Sequence, residues 1–267
     1  MDLSAEYNNR ALVPEHPEII AGWRADAEAF RQTAVAELDI AYGSRPRNIL
    51  DLFLPARDSG GPMLVFIHGG YWRSFDKSMF SHLAAGANAH GLPVAMPSYT
   101  LCPDLTIPGI VDELRQCCLF LDSNYGRPLV VVGHSAGGHL AACMAATDWQ
   151  LFGADAGLVS GGLSISGIFD LRPLMATAMN DDLKLTATDA MIASPLLWPV
   201  PRRLAFECWV GARESPEFLR QSRSLAAAWS GLGLDAPYVE VAGANHFSIV
   251  QLLADPESAM TLKAVSL

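Results

Sequence analysis

The tightest constraint on this chain is a short turn, Gly133-His134-Ser135-Ala136-Gly137, set between two very different segments. Ahead of it runs Leu129-Val130-Val131-Val132, apolar and mostly β-branched, as in a strand covered on both faces. Behind it, His139-Leu140-Ala141-Ala142-Cys143-Met144-Ala145-Ala146 is rich in alanine and reads as a helix. A strand that becomes a helix within so few residues leaves no room for side chains beside the turn, so glycine flanks it. The central serine is forced into strained geometry. Its Oγ is lifted above the sheet edge, next to a helix N-terminus whose N–H groups favour negative charge. The bland alternative is a glycine-rich helix start with a serine N-cap.

Around this turn the pattern alternates between short apolar runs and helical periodicity. Met63-Leu64-Val65-Phe66-Ile67 is a continuous apolar strand, and 93–96, 158–169, 206–210 and 238–241 are further strand segments. Helical spacing occupies 81–90, 110–124 and 217–229 between them. The order predicts an α/β fold with a mostly parallel, doubly wound sheet and right-handed crossovers. Segments 35–42 and 49–54, joined by Gly43-Ser44-Arg45-Pro46-Arg47, read as an antiparallel N-terminal edge pair. Within an N-terminal helical segment, 1–34, Ile19, Ile20, Trp23, Ala27 and Phe30 recur at amphipathic helix spacing. Segment 170–203 breaks the rhythm, with many leucines and methionines and prolines near both ends. It is expected to be a short inserted cap over the carboxyl ends of the strands, where open α/β sheets bind ligands. A short connection packed on the core is the alternative. At 267 residues, one domain spanning 1–267 is expected.

Charge and cysteine usage narrow the class. A net charge of −10 argues against a nucleic-acid or anionic-membrane partner. No apolar run reaches the roughly 18–20 residues of a membrane span. The opening Met1-Asp2-Leu3-Ser4-Ala5-Glu6 has acidic residues and no signal-like apolar stretch, so a cytoplasmic location is expected. The five cysteines form no C-x-x-C pair and no metal-like spacing, which predicts free thiols, most of them buried. Cys102, beside Pro103, reads as loop-like and open to solvent. No metal or organic cofactor is signalled, so none is expected.

Ser135 in such a turn needs a base and an orienting acid, which in this kind of architecture follow it in the order serine, acid, histidine. His246, in Gly243-Ala244-Asn245-His246-Phe247 after the final strand, is the expected base. Glu214, just past the strand that ends Trp209-Val210-Gly211, is the expected acid, with Asp170 as its rival. Glu217 reads as part of the next helix's first turn. His68-Gly69-Gly70-Tyr71-Trp72 follows the strand at 63–67, where glycines let backbone N–H groups turn toward a reacting carbonyl oxygen. The N–H groups of Gly70, Tyr71 and Ala136 are therefore the candidate oxyanion hole, and His68 is expected to brace the loop. Trp72 and Phe247 are candidate substrate-binding residues, with core packing an equal reading for Trp72.

These motifs resemble the α/β-hydrolase fold. Within it, His68-Gly69-Gly70-Tyr71-Trp72, Gly133-His134-Ser135-Ala136-Gly137-Gly138-His139-Leu140 and Glu214-Ser215-Pro216-Glu217-Phe218 resemble the serine-hydrolase type of kynurenine formamidase (arylformamidase). Glu6-Tyr7-Asn8-Asn9-Arg10, Asp170-Leu171-Arg172-Pro173-Leu174 and Ser194-Pro195 are similar to that family too. The resemblance implies Ser135 as nucleophile, His246 as base and Glu214 as acid, acting on N-formylkynurenine or a similar aryl formamide in tryptophan breakdown. Glu214 departs from the family's usual aspartate. Bacterial relatives with the same motifs include short-chain carboxylesterases and hydrolases of other small amides. A non-catalytic small-molecule sensor on the same scaffold is a further alternative. The implied partner is a small-molecule substrate, with a homodimer as an option.

Overall fold

In the computed structural model, which describes residues 3–200 and 204–267, the apolar runs assemble into one eight-stranded sheet. The strands are β1 (Val35–Ala41), β2 (Ile49–Leu54), β3 (Met63–Ile67), β4 (Val94–Pro97), β5 (Leu129–His134), β6 (Val159–Ile165), β7 (Ala205–Gly211) and β8 (Tyr238–Val241). Their spatial order is β1-β2-β4-β3-β5-β6-β7-β8. β2 pairs antiparallel with both β1 and β4, and every remaining pairing is parallel. This is the mixed, mostly parallel sheet with an antiparallel N-terminal pair that the sequence pattern predicts.

The strand order determines where chemistry can sit. From β3 the chain winds outward to β4 and then back to β5 on the other side, so the winding reverses between β3 and β5. At such a reversal the loops leaving the carboxyl ends of the two strands diverge and open a crevice. Ile67 at the end of β3 lies in register with Gly133 at the end of β5, so the two glycine-rich motifs start side by side.

Strand alternation divides the interior into two layers, one on each sheet face. Val65 and Val131 enter the core that holds Tyr7, Trp72 and Phe218, whereas Phe66, Val130 and Val132 enter the one that holds Trp23, Phe80 and Phe247. The N-terminal amphipathic segment forms the helix His16–Thr33, with Trp23 and Ala27 buried on its inner stripe. The imperfect alternation of β1 has a local cause: Asp39, at φ 57°, makes a bulge that shifts the β1–β2 register between Glu37 and Ile40.

Several expected boundaries move. The helix expected over 81–90 begins as a 3-10 turn, Ser81–Leu83, before Ala84–Ala89. The strand expected over 158–169 ends at Ile165, because Ser166 turns at φ 55° and donates its N–H to Trp209 O at 2.7 Å. Segment 170–203 resolves into short pieces, Arg172–Ala176, Asn180–Leu183, Ala187–Ile192 and Pro195–Leu197. Leu171, Leu174, Leu183 and Ala190 anchor these pieces in the core. Residues 201–203 of that segment, and residues 1 and 2 of the N-terminal segment, lie outside the described residues. Cys102 differs from expectation: like the other four cysteines it is free and buried, and its N–H donates to Trp72 O at 2.7 Å. Among the described residues, no helix is long and apolar enough to cross a membrane.

Candidate active site

Ser135 sits between β5 and the helix Ala136–Ala145 with φ 57° and ψ −118°. Its N–H donates to Ile165 O at 2.8 Å, which ties the turn to the neighbouring strand. The flanking glycines are required by contact distance. A Cβ on Gly133 would lie 2.0 Å from Gly137 O, and one on Gly137 would lie 1.9 Å from Ile67 O. No side chain fits at either place.

The loop after β8 presents His246. Asn245 Oδ1 accepts from the N–H groups of Phe247 (3.0 Å) and Ser248 (2.9 Å), while Ser248 Oγ accepts from Asn245 N–H at 2.9 Å. These bonds fold the backbone tightly around His246. The turn residue His134 fastens the loop from below: its ring Nε2 donates to His246 O at 2.8 Å. The result places His246 Nε2 3.0 Å from Ser135 Oγ and His246 Nδ1 2.7 Å from Glu214 Oε2. Ser135, His246 and Glu214 are only 2%, 3% and 8% exposed, so the three interact in a medium far less polar than water.

Glu214 is itself held. Its second oxygen, Oε1, accepts from Gly211 N–H at 2.8 Å and from Ser166 Oγ–H at 2.5 Å. A Cβ on Gly211 would meet Ala244 O at 2.6 Å, so the turns after β7 and β8 approach each other only because that position lacks a side chain. A carboxylate can only accept, so Nδ1 carries the imidazole proton and Nε2 turns its lone pair to the serine hydroxyl.

The loop after β3 closes the other side of the serine. Gly70, Tyr71 and Trp72 all adopt positive φ, at 114°, 53° and 56°. Such a run is strained for non-glycine residues, and surrounding bonds hold it in place. Tyr99 Oη donates to His68 O (2.9 Å), and Trp72 Nε1 donates to His139 Nδ1 (3.2 Å). Arg47 donates to Phe75 O (2.8 Å) and Tyr99 O (2.7 Å), just beyond the loop. Lys77, buried, pairs with Asp51 at 2.6 Å and Asp39 at 2.7 Å. Gly69 lies flush on the turn, since a Cβ there would be 3.0 Å from Ser135 Cβ. Among the described residues, the N–H groups of Gly70, Tyr71 and Ala136 donate to no protein acceptor.

Other expected residues fall elsewhere. Asp170 does not join His246; its carboxylate is taken bidentately by Arg172 at 2.8 and 2.9 Å. Glu217 opens the helix Pro216–Gly231 and accepts from Tyr7 Oη at 2.5 Å. Trp72, expected against substrate, is fully buried, because its indole N–H finds a partner in His139 within the core. Phe247 is also buried, stacked on His16 (5.6 Å) and edge-on to the His246 ring (5.6 Å). Both brace the site from behind.

The BD-FAE family model matches residues 50–169. A crystal structure of a candidate thioesterase from Silicibacter sp. tm1040 superposes with a TM-score of 0.92 and 38% identity, covering 100% of both chains. The chain belongs to the α/β-hydrolase superfamily. Kynurenine formamidase of Danio rerio is 29% identical over 250 residues, 91% of this hydrolase and 85% of that protein. Isoprenylcysteine alpha-carbonyl methylesterase ICME of Arabidopsis thaliana is 37% identical over 111 residues, 39% of this chain and 26% of that protein. The coarse chemistry, hydrolysis of the esterase type, follows from this kinship.

Burial sets the charge state of the hydrolase's supporting histidines. It lowers His68 and His139 to about 4 and His134 well below its ordinary value. All three are neutral hydrogen-bonding struts near pH 7: His68 Nδ1 donates to Gly69 O (2.7 Å), and His139 Nε2 donates to Ala193 O (2.6 Å). Sequence reasoning missed three contributors, Ser166, Gly211 and Asn245. Asn245 had a usable signal, since Asn-x-x-Ser is a local capping pattern. Ser166 had none, because its partner lies 48 residues away.

Proposed function

We propose that Ser135, His246 and Glu214 act as a catalytic triad that transfers a small acyl or formyl group to water. His246 Nε2 takes the Ser135 hydroxyl proton as Oγ attacks the substrate carbonyl, and Glu214 stabilises the imidazolium that forms. Negative charge on the carbonyl oxygen is received by the N–H groups of Gly70, Tyr71 and Ala136, each worth about 3 kcal/mol of barrier in comparable sites. His246 then protonates the departing amine or alcohol, leaving an acyl-serine. Water, deprotonated by the same imidazole, attacks the acyl carbon; Oγ leaves with the proton, and the serine is restored.

The observation that carries this reading is the unbroken chain from Ser135 Oγ through His246 (3.0 Å) to Glu214 (2.7 Å), beside N–H groups with no protein acceptor. Glutamate in place of aspartate is accommodated, because Gly211 and Ser166 hold the longer side chain by its second oxygen. An aryl formamide, of which N-formylkynurenine is one, is the substrate class favoured by the likeness to kynurenine formamidase over 91% of the chain. The second reading, short-chain ester or thioester hydrolysis, is favoured by the 38%-identical candidate thioesterase. We also assign segment 170–203 the role of a cap, since its residues Thr177, Ala178 and Met179 line a cavity together with Tyr71. Comparing kcat/KM for N-formylkynurenine with that for p-nitrophenyl acetate separates the substrate readings. A preference for the ester by orders of magnitude removes the formamidase assignment and keeps the esterase one.

A further inference from the structure

The motif Glu6-Tyr7-Asn8-Asn9-Arg10 has no part in the acyl-transfer steps, yet it is built firmly into the site. Tyr7 Oη donates to Glu217 (2.5 Å) and accepts from Gln221 Nε2 (2.9 Å), while Tyr7 O accepts from Tyr71 Oη at 2.7 Å. Asn9 N–H donates to the same Tyr71 Oη at 3.3 Å. Asn8 caps the turn Asn9–Leu12 that carries Arg10. The backbone bearing Arg10 is therefore fastened to the loop that supplies two of the candidate oxyanion N–H groups.

A cavity of about 220 Å3 lies where this N-terminal segment meets that loop and the inserted segment. Tyr71 joins the two places, with its amide in the loop beside Ser135 and its side chain on the cavity wall. The charge of the cavity runs opposite to that of the molecule. The chain has 28 acidic and 18 basic side chains, but the cavity lining includes Arg10 and Arg73 and no carboxylate. Arg73 is paired with Asp182, which is not part of the lining. Arg10 has no ion-pair partner among the described residues, and its charge favours the phenolate of Tyr71 against the upward push of burial. A guanidinium left unpaired at a cavity, on a pinned backbone, in an acidic protein, suits a planar anion that it can grip with two N–H groups.

We propose that this cavity is an anion subsite in which Arg10, backed by Arg73, binds a carboxylate on the leaving-group side of the substrate. The inference rests on the acyl-transfer reading above, whose small acyl group leaves the bulk of the substrate on the departing side. It narrows the substrate class to esters or amides with an anionic leaving group.

The test compares 3-acetoxybenzoate with 3-acetoxybenzamide, a neutral compound of nearly the same shape with the same acetate ester, and takes the ratio of their kcat/KM values. The ratio should favour the anion in the native protein, drop at least tenfold in Arg10→Gln, and shrink as salt is added. Arg57→Gln, on the exposed turn after β2, should leave it unchanged. Binding of 3-hydroxybenzoate to Ser135→Ala protein, followed by NMR titration, needs no turnover and should weaken at least tenfold when Arg10→Gln is added. A ratio insensitive to Arg10→Gln, or equal 3-hydroxybenzoate binding with and without Arg10, overturns the subsite even if ester hydrolysis continues. Arg10-dependent binding in a protein that hydrolyses neither ester overturns the acyl-transfer reading instead and leaves the subsite standing.

Discussion

Ser135 is held in a backbone conformation that costs on the order of 1–3 kcal/mol, offset by the packing of β5 and the helix that follows. Removing its hydroxyl, Ser135→Ala, is expected to lower kcat at least ~10³-fold with the fold intact, as circular dichroism and steady-state assay would show. Glu214→Gln should cost less but still substantially. Ser166→Ala removes one of the bonds that fix Glu214; hydrogen bonds to charged groups are worth about 1.5–3 kcal/mol, so roughly tenfold or more in kcat is expected, with KM little changed. Asp170→Asn, whose parent carboxylate serves Arg172, should leave kcat near native. Ser135 and His246 were legible in the sequence because a motif or a chain-order rule marks each of them. Ser166 was not, because only the fold brings it across to a carboxylate in the turn after β7.

At the scale of elements, the site is four connections, those after β3, β5, β7 and β8, made mutually dependent by close backbone contact. Gly211 shows this between the turns after β7 and β8: Gly211→Ala pushes a methyl to 2.6 Å from Ala244 O and should displace the His246 loop. Lower kcat and a lower Tm are expected together, with a stability loss of about 1–3 kcal/mol as in other overpacked sites; an unchanged Tm would contradict the contact argument. The sheet was legible from its apolar runs, since a strand covered on both faces leaves an unmistakable block of branched residues. Segment 170–203 was only partly legible. Its helices are too short for a periodic stripe, and their positions are set by where Leu171, Leu174 and Leu183 find the core. The bulge at Asp39 was visible only as imperfect alternation, because Lys77, the cation it serves, belongs to a different element.

Over the whole molecule, burial of polar groups ties stability to pH. His68 and His139 are held neutral, with values near 4 in the folded state against 6.5 unfolded. Between those values the unfolded chain binds more protons, so stability present above about pH 6.5 is lost as the pH falls toward 4. Each group accounts for up to about 3 kcal/mol of that loss, and the urea midpoint should fall clearly from about pH 7 to about pH 4.5. The most direct measurement of the central claim is intact-mass and peptide analysis after reaction with a fluorophosphonate. The expected result is a single adduct on Ser135, absent in Ser135→Ala and formed far more slowly in His246→Ala. Folded native protein that stays unlabelled, or that carries its adduct on another residue, would contradict the hydrogen-bonded chain of Ser135, His246 and Glu214 as the reacting centre.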